Sequence, residues 1–123
     1  MNRPKILIVE DESLIALQLE MKLSKLGYEI CQLVASGEEA INAARFEKPD
    51  VILMDIRLTG EMDGIEAARQ IGFFAAIPII FTTGYPDTNI KERAMALKPS
   101  GFLIKPIEAN AIQKVIQSTL KLM

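Results

Sequence analysis

The chain has 123 residues, of which half are hydrophobic and 24% are charged, with a formal net charge of −2 and no histidine. This length and composition are typical of one globular domain. The charge gives no basic footprint for nucleic-acid binding, and the missing histidine removes the commonest general base and metal ligand. The single cysteine, Cys31, excludes an internal disulfide. No apolar run approaches the roughly 18 residues of a membrane span, and we expect a cytoplasmic protein.

The hydrophobic pattern predicts five repeats of a strand followed by a helix. The strands are short apolar runs, and the helices repeat apolar residues at helical spacing or begin at capping signals. In chain order, the predicted elements are strand 5–9, helix 13–26, strand 29–35, helix 36–46, strand 51–55, helix 65–74, strand 79–82, helix 88–97, strand 102–104 and helix 108–122.

The first, third and fourth strands are continuously apolar, which is typical of a parallel sheet covered by helices on both faces. Right-handed crossovers between such strands give a doubly wound sandwich. We therefore predict an α/β, flavodoxin-like fold with a five-stranded parallel sheet in the order 2-1-3-4-5, as one domain over residues 1–123. Its functional site should lie beyond the carboxyl ends of the strands, between strands one and three.

Polar residues follow the predicted strands at that edge. They are Glu10 and Asp11 after strand one, Asp55 at the end of strand three, Thr83 at strand four, and Lys105 after strand five. Neighbouring carboxylates need a cation, and oxygen ligands suit Mg²⁺. A carboxylate beside Mg²⁺ can attack phosphorus and form an aspartyl phosphate, while a lysine and a hydroxyl stabilise the phosphoryl oxygens. Singly, each residue has an ordinary explanation as a helix cap or a turn; the ordered set favours a site.

Five segments in this order resemble the receiver domain of two-component response regulators, and the resemblance covers residues 5–122. They are ILIVEDE, DVILMDIRL, MDGIE, IPIIFTTG and GFLIKP. The resemblance implies that Asp55 accepts a phosphoryl group from a sensor histidine kinase or a phosphotransfer protein. It also implies a protein that is not an enzyme beyond its own phosphorylation and dephosphorylation.

The same resemblance assigns the metal ligands. Mg²⁺ would be bound directly by Asp11, usually through water by Glu10, by Asp55, and by the backbone carbonyl of Arg57. The loop that follows departs from the family: TGEMDG at residues 59–64 lacks the usual proline and is one residue longer. This departure puts the loop contacts beside the metal in question more than the chemistry.

The resemblance further implies a switch. Thr83 and Lys105 would contact the phosphate, and Phe102 would turn inward when the threonine moves; plain core packing is the alternative for Phe102. Thr82 remains the alternative to Thr83, which we favour because the small Gly84 follows it. The Lys105–Pro106 bond is similar to one that is usually cis in the family.

Two further side chains flank the path of the water that hydrolyses the phosphate in receivers. They are the residues two positions after the phosphorylated aspartate and two after the switch threonine, here Arg57 and Tyr85. Family members dock their kinase near the first helix, here 14–26. They signal, and in some cases dimerise, through the fourth helix, fifth strand and fifth helix, here about 88–122.

Three other functions are weighed against this one. An aspartate-nucleophile phosphatase typically has a second aspartate two residues after the nucleophile, where this chain has Arg57. A flavin-binding protein of this fold would be disfavoured by the acidic end of strand one. A receiver-like interaction module that is never phosphorylated commonly lacks a key residue, and here all are present. The cognate kinase, the signal, the output, the oligomeric state and any larger parent protein stay open.

Overall fold

The computed structural model of the chain describes residues 3–121, in which five strands alternate with five helices as predicted. The elements are β1 (Lys5–Val9), α1 (Ser13–Lys25), β2 (Glu29–Val34), α2 (Gly37–Glu47), β3 (Val51–Asp55), α3 (Gly64–Ile71), β4 (Ile79–Thr83), α4 (Thr88–Met95), β5 (Gly101–Ile104) and α5 (Ala109–Lys121). The predicted end of the last helix at 122 lies outside the described residues.

Two helices end earlier than the sequence pattern predicts. We expected the third helix to reach residue 74 and the fourth to reach 97, but α3 ends at Ile71 and α4 at Met95. The chain after α3 turns through shorter bonds, from the Phe73 and Phe74 N–H groups to carbonyls three residues back. Apolar residues in these tightened turns continue the hydrophobic pattern without continuing the α-helix.

The sheet is parallel throughout and has the strand order β2-β1-β3-β4-β5, which confirms the predicted flavodoxin-like fold. Helices cover both faces. Residues of α2, α3 and α4 pack with one face of the sheet, which we call the α2–α4 face. Residues of α1 and α5 pack with the other, the α1/α5 face. The central strand β3 is buried along its whole length, so its last residue is held rigidly.

The first and last helices bury apolar residues at helical spacing. Leu19 and Leu23 of α1 are buried, as are Ile112 and Ile116 of α5. Ile15 of α1 and Val115 and Leu120 of α5 are partly buried against the same cluster. Among residues 3–121, no helix combines the length and the apolar character needed to cross a membrane.

A capping box begins α2. The Ser36 hydroxyl accepts a 3.2 Å hydrogen bond from the Glu39 N–H, and the Glu39 carboxylate accepts one of 3.2 Å from the Ala35 N–H. Asp63 caps α3 in the same way and accepts a 2.8 Å bond from the Glu66 N–H. These two caps fix the end of the loop before α2 and the end of the loop before α3, and the two loops meet at a bridge between Ser36 and Thr59.

Candidate functional site

Three carboxylates meet at the carboxyl ends of β1 and β3. The two strands are adjacent and parallel, with Val9 aligned to Met54, so the next residues along them are Glu10 and Asp55. The Glu10 N–H donates a 2.9 Å bond to the Val34 carbonyl and so extends the β1–β2 ladder by one residue. One carboxylate oxygen from each of Glu10, Asp11 and Asp55 lies within 4.8 Å of the others.

Lys105 brings a cation to this cluster from the far end of the chain. Its N–H donates a 2.8 Å bond to the Thr83 carbonyl, which continues the β4–β5 ladder and places the side chain at the same edge. Its Nζ donates a 2.9 Å hydrogen bond to Oδ2 of Asp55 and lies 2.7 Å from Oε1 of Glu10. Burial opposes the charge of this ammonium, but its ionic contacts with Glu10 and Asp55 outweigh burial and raise the pKa of Lys105.

The Glu10 carboxylate combines deep burial with few hydrogen bonds. Its Oε2 accepts a 3.1 Å bond from the Glu12 N–H, while Oε1 is fully buried. Oε1 is in ionic contact with Nζ of Lys105 at 2.7 Å, and no other side chain among residues 3–121 donates a hydrogen bond to it. Burial is the main cause that raises the pKa of the Glu10 carboxyl, and the nearby Asp55 charge adds to it.

The cluster has the chemistry of a site for a hard cation. It has three carboxyl groups beside the single ammonium of Lys105. Lys105 contacts both Glu10 and Asp55, and carboxylates held this close repel one another when ionised, so a further bound cation would stabilise the cluster. All donors are oxygens and, of the candidate ions, Mg²⁺ prefers a few carboxylates and otherwise water. The residues present therefore fit the Mg²⁺ predicted from the sequence. Arg57, whose backbone carbonyl is the further ligand that the resemblance implies, lies on the loop that follows β3.

The two threonines at the end of β4 point to opposite faces of the sheet. Thr82 is aligned with Asp55. It lies two residues after Ile80, which packs in the α1/α5 face. Thr83 lies two residues after Phe81. Phe81 packs in the α2–α4 face, and Phe102 packs there as well. Since side chains alternate along a strand, Thr83 and Phe102 share a face. The Thr83 hydroxyl accepts a 3.1 Å bond from the Tyr85 N–H and is otherwise buried.

The side chains that follow β3 and β4 touch each other at the rim of the site. The guanidinium carbon of Arg57 lies 4.7 Å from the ring centroid of Tyr85, a cation–π contact. Both side chains are exposed. The resemblance implies that each of them flanks the path of the hydrolytic water, but nothing in the sequence indicated their contact with one another.

The long loop between β3 and α3 carries two features that sequence reasoning missed. The Thr59 hydroxyl donates a 3.1 Å hydrogen bond to Oδ2 of Asp11. A Cβ atom at Gly64 would overlap the Asp55 carbonyl oxygen, so only glycine fits there. Gly84, by contrast, has nothing within 4 Å of such an atom. The MDG motif was the available signal for Gly64, whereas nothing in the spacing indicated the partner of Thr59.

The Lys105–Pro106 bond is cis, as the resemblance implied.

The sequence and the fold both match one family. The profile of the response regulator receiver domain matches residues 6–117. The transcriptional regulatory protein PdtaR of Mycobacterium tuberculosis is 34% identical over 113 residues, which are 92% of this chain and 55% of that protein. The chain spans about half the length of the curated relatives it matches.

Solved structures give the same result. The receiver domain of a modulated diguanylate cyclase from Desulfovibrio desulfuricans G20 superposes with a TM-score of 0.91 at 37% identity, covering 98% of this chain and 95% of that one. A CheY-like receiver protein from Methanospirillum hungatei JF-1 has a TM-score of 0.90 at 23% identity, covering 98% and 95%, and shows the fold alone. With the matched profile, these likenesses establish that the chain belongs to the receiver-domain family of two-component response regulators.

Proposed function

We propose that this domain accepts a phosphoryl group on Asp55 in a Mg²⁺-dependent reaction and changes the conformation of its α4–β5–α5 surface in response. One observation carries the proposal. The Asp55 carboxylate is buried at the end of the central strand, hydrogen-bonded to Lys105 at 2.9 Å, and grouped with two further carboxylates. Burying a cluster of carboxyl groups costs stability, and clusters of this kind are typical of functional sites.

The chemistry assigned to the residues is a phosphoryl transfer. Lys105 contacts Oδ2 of Asp55, which leaves the other oxygen as the nucleophile. That oxygen forms a bond to phosphorus while the bond from phosphorus to the donor breaks, and the donor leaves with the electron pair. When bound by Glu10, Asp11 and Asp55, Mg²⁺ would supply positive charge to the phosphoryl oxygens. After transfer, Lys105 is free to bind a phosphoryl oxygen in place of Oδ2.

Thr83 and Phe102 are the proposed switch. Both belong to the α2–α4 face, and Phe102 is only partly buried there, so an inward turn of its ring would bury further apolar surface. The Thr83 hydroxyl is bonded to the Tyr85 N–H and would exchange this partner for a phosphoryl oxygen. The choice of Thr83 over Thr82 rests on this shared face, because Thr82 points toward the α1/α5 face.

The proposed partner is a sensor histidine kinase or a phosphotransfer protein. Helix α1 supports this because it exposes a stripe of large apolar side chains at helical spacing, Leu14, Leu17 and Met21. The α4–β5–α5 surface exposes another apolar set, Met95, Leu97 and Ile104, which suits an output partner or a dimer. The extent of the domain over 1–123 and its place in the cytoplasm stay predictions.

The stacked Arg57 weakens the phosphatase alternative. Such an enzyme needs a proton donor two residues after its nucleophile, and a guanidinium does not give up its proton near neutral pH. Arg57 is in addition engaged with the Tyr85 ring. An interaction module that is never phosphorylated is the remaining alternative, and phosphorylation itself separates the two.

Intact-mass measurement after incubation with acetyl phosphate tests the proposal. The wild type should gain one phosphoryl group with Mg²⁺ and essentially none in EDTA. Asp55→Asn, which keeps the size and removes the nucleophile, should gain none under either condition. Asp87→Asn is the matched control, because asparagine also caps a helix and Asp87 only caps α4. A wild type that stays unmodified, or an Asp55→Asn variant modified equally, would overturn the assignment.

A further inference from the structure

The loop that departs from the family pattern contacts the metal-ligand candidate Asp11. Thr59 lies in this loop, and its Oγ1 donates a 3.1 Å hydrogen bond to Oδ2 of Asp11, which is 48 residues away in the sequence. Thr59 is exposed and Asp11 is partly buried. The hydroxyl therefore reaches the carboxylate from the solvent side of the cluster.

The loop backbone fixes the position of Thr59. Thr59 forms a parallel bridge with Ser36, the residue that caps α2. The chain then turns at Gly60, whose φ of +98° is one that other residues rarely adopt. Further along, the Met62 side chain packs where a Cβ atom on Gly37 would lie, at 3.0 Å. Thr59 is thus held against the start of α2 and does not depend on Asp11 for its position.

We propose that Thr59 is a positioning residue for Asp11 and makes the carboxylate site prefer Mg²⁺ to Ca²⁺. This inference rests on the proposed function, since it needs a cation at Glu10, Asp11 and Asp55. A donor that orients a ligating carboxylate is worth about 10- to 100-fold in metal affinity. With a hydroxyl bound to Oδ2, chelation of one ion by both oxygens of Asp11 is disfavoured.

Selectivity follows from the different demands of the two ions. Mg²⁺ needs near-octahedral geometry and keeps several waters, so a carboxylate that offers a single oriented oxygen suits it. Ca²⁺ has more ligands and often takes both oxygens of a carboxylate. Removing the hydrogen bond from Thr59 to Asp11 should therefore lower the affinity for Mg²⁺ more than the affinity for Ca²⁺.

Calorimetric titration of the unphosphorylated protein with Mg²⁺ and, separately, with Ca²⁺ tests this. Thr59→Val keeps the branched shape and removes the donor, while Thr59→Ser keeps the hydroxyl. We expect Thr59→Val to bind Mg²⁺ about tenfold more weakly, with a clearly smaller loss for Ca²⁺. Thr59→Ser should stay close to the wild type for both ions. Thr59→Ala serves as a second variant without the donor, and thermal unfolding in EDTA checks that each variant is folded.

Three results would overturn the inference. One is unchanged Mg²⁺ affinity in both variants without the donor while the wild type binds Mg²⁺, which leaves the proposed function intact. Another is an equal loss for both ions that serine does not rescue, which would make Thr59 a structural residue of the loop. A wild type that binds no Mg²⁺ would remove the metal requirement of the proposed function together with this inference.

Discussion

The guanidinium carbon of Arg57 lies 4.7 Å from the ring centroid of Tyr85, which joins the loop after β3 to the loop after β4. Arg57 follows Asp55 by two residues, and Tyr85 follows Thr83 by two. The two loops border the carboxyl edge of the sheet, where the phosphoryl group of Asp55 would lie. A stacked pair there can exclude or misplace the water that hydrolyses the phosphate.

We therefore expect Tyr85→Ala to speed autodephosphorylation severalfold, on the order of 1 kcal/mol of barrier. Hydrolysis needs a water in line with the bond between Asp55 and phosphorus, and removing the ring opens its path. Tyr85→Phe should decay at nearly the wild-type rate, because phenylalanine keeps a face for the guanidinium. The measurement is the loss of the phosphoryl group by intact mass after the donor is removed.

Since the two side chains are in contact, their substitutions should not be additive. The double variant of Tyr85→Ala and Arg57→Ala is expected to decay only slightly faster than either single variant. Independent, multiplying effects would show that the stack does not act as one cover. Equal or slower decay in the double variant would show that neither side chain shields the phosphate.

The pH dependence of the free energy of unfolding in EDTA should identify Glu10 as the carboxyl group whose burial opposes its charge. Burial raises its pKa above the ordinary value of 4.5, so the folded state binds this proton more tightly than the unfolded state does. For that sign, the stabilising contribution is present below 4.5 and is lost as pH rises through the raised folded pKa. Glu10→Gln has no titrating proton at this position. Its free energy of unfolding should therefore fall less than that of the wild type as the pH rises above 4.5.

Urea unfolding at a series of pH values measures this difference. Glu12→Gln is the matched control, because Glu12 is an exposed neighbour whose side chain makes no capping bond at α1. It should follow the wild-type pH profile. If Glu10→Gln follows that profile as well, Glu10 is not the group whose burial opposes its charge.

Isosteric substitution at the two threonines should separate the switch from its neighbour. Thr83→Val removes the hydroxyl on the face shared with Phe102, so Asp55 should still be phosphorylated while the NMR shifts of the Phe102 ring respond weakly. Thr82→Val changes the opposite face and should leave that response largely intact. The reverse pattern would assign the switch to Thr82, and an intact response in both variants would exclude a threonine hydroxyl from the switch.

Gly64 should be the least replaceable glycine beside the site. In Gly64→Ala, the new methyl group would meet the Asp55 carbonyl oxygen, so we expect a loss of about 1–3 kcal/mol or more in the free energy of unfolding. In Gly84→Ala, the methyl group would meet open space, and the change should stay within about 0.5 kcal/mol. Chemical denaturation of both variants tests the contrast. Similar losses at the two positions would argue against the close approach at Gly64.

Much of this arrangement was predictable from the sequence because its causes are local or periodic. Continuous apolar runs indicated a buried parallel sheet, and the parallel sheet in turn placed the ends of distant strands at one edge. That reasoning anticipated the meeting of Glu10, Asp55 and Lys105, which the structure brings together.

Other features depend on where side chains of different loops meet, which spacing does not encode. The stack of Arg57 on Tyr85 and the bond from Thr59 to Asp11 join loops far apart in the sequence. The early ends of α3 and α4 escaped prediction for another reason: apolar residues in a tightened turn look the same as residues of a continuing helix.

The most direct test of the account is chemical identification of the residue that carries the phosphate. Borohydride reduces an aspartyl phosphate to homoserine, and peptide mass spectrometry then locates the changed residue. After treatment with acetyl phosphate and Mg²⁺, we predict homoserine at position 55 alone, with no conversion in EDTA. Homoserine at another aspartate, or none at position 55 in a folded protein supplied with Mg²⁺ and donor, would contradict the account.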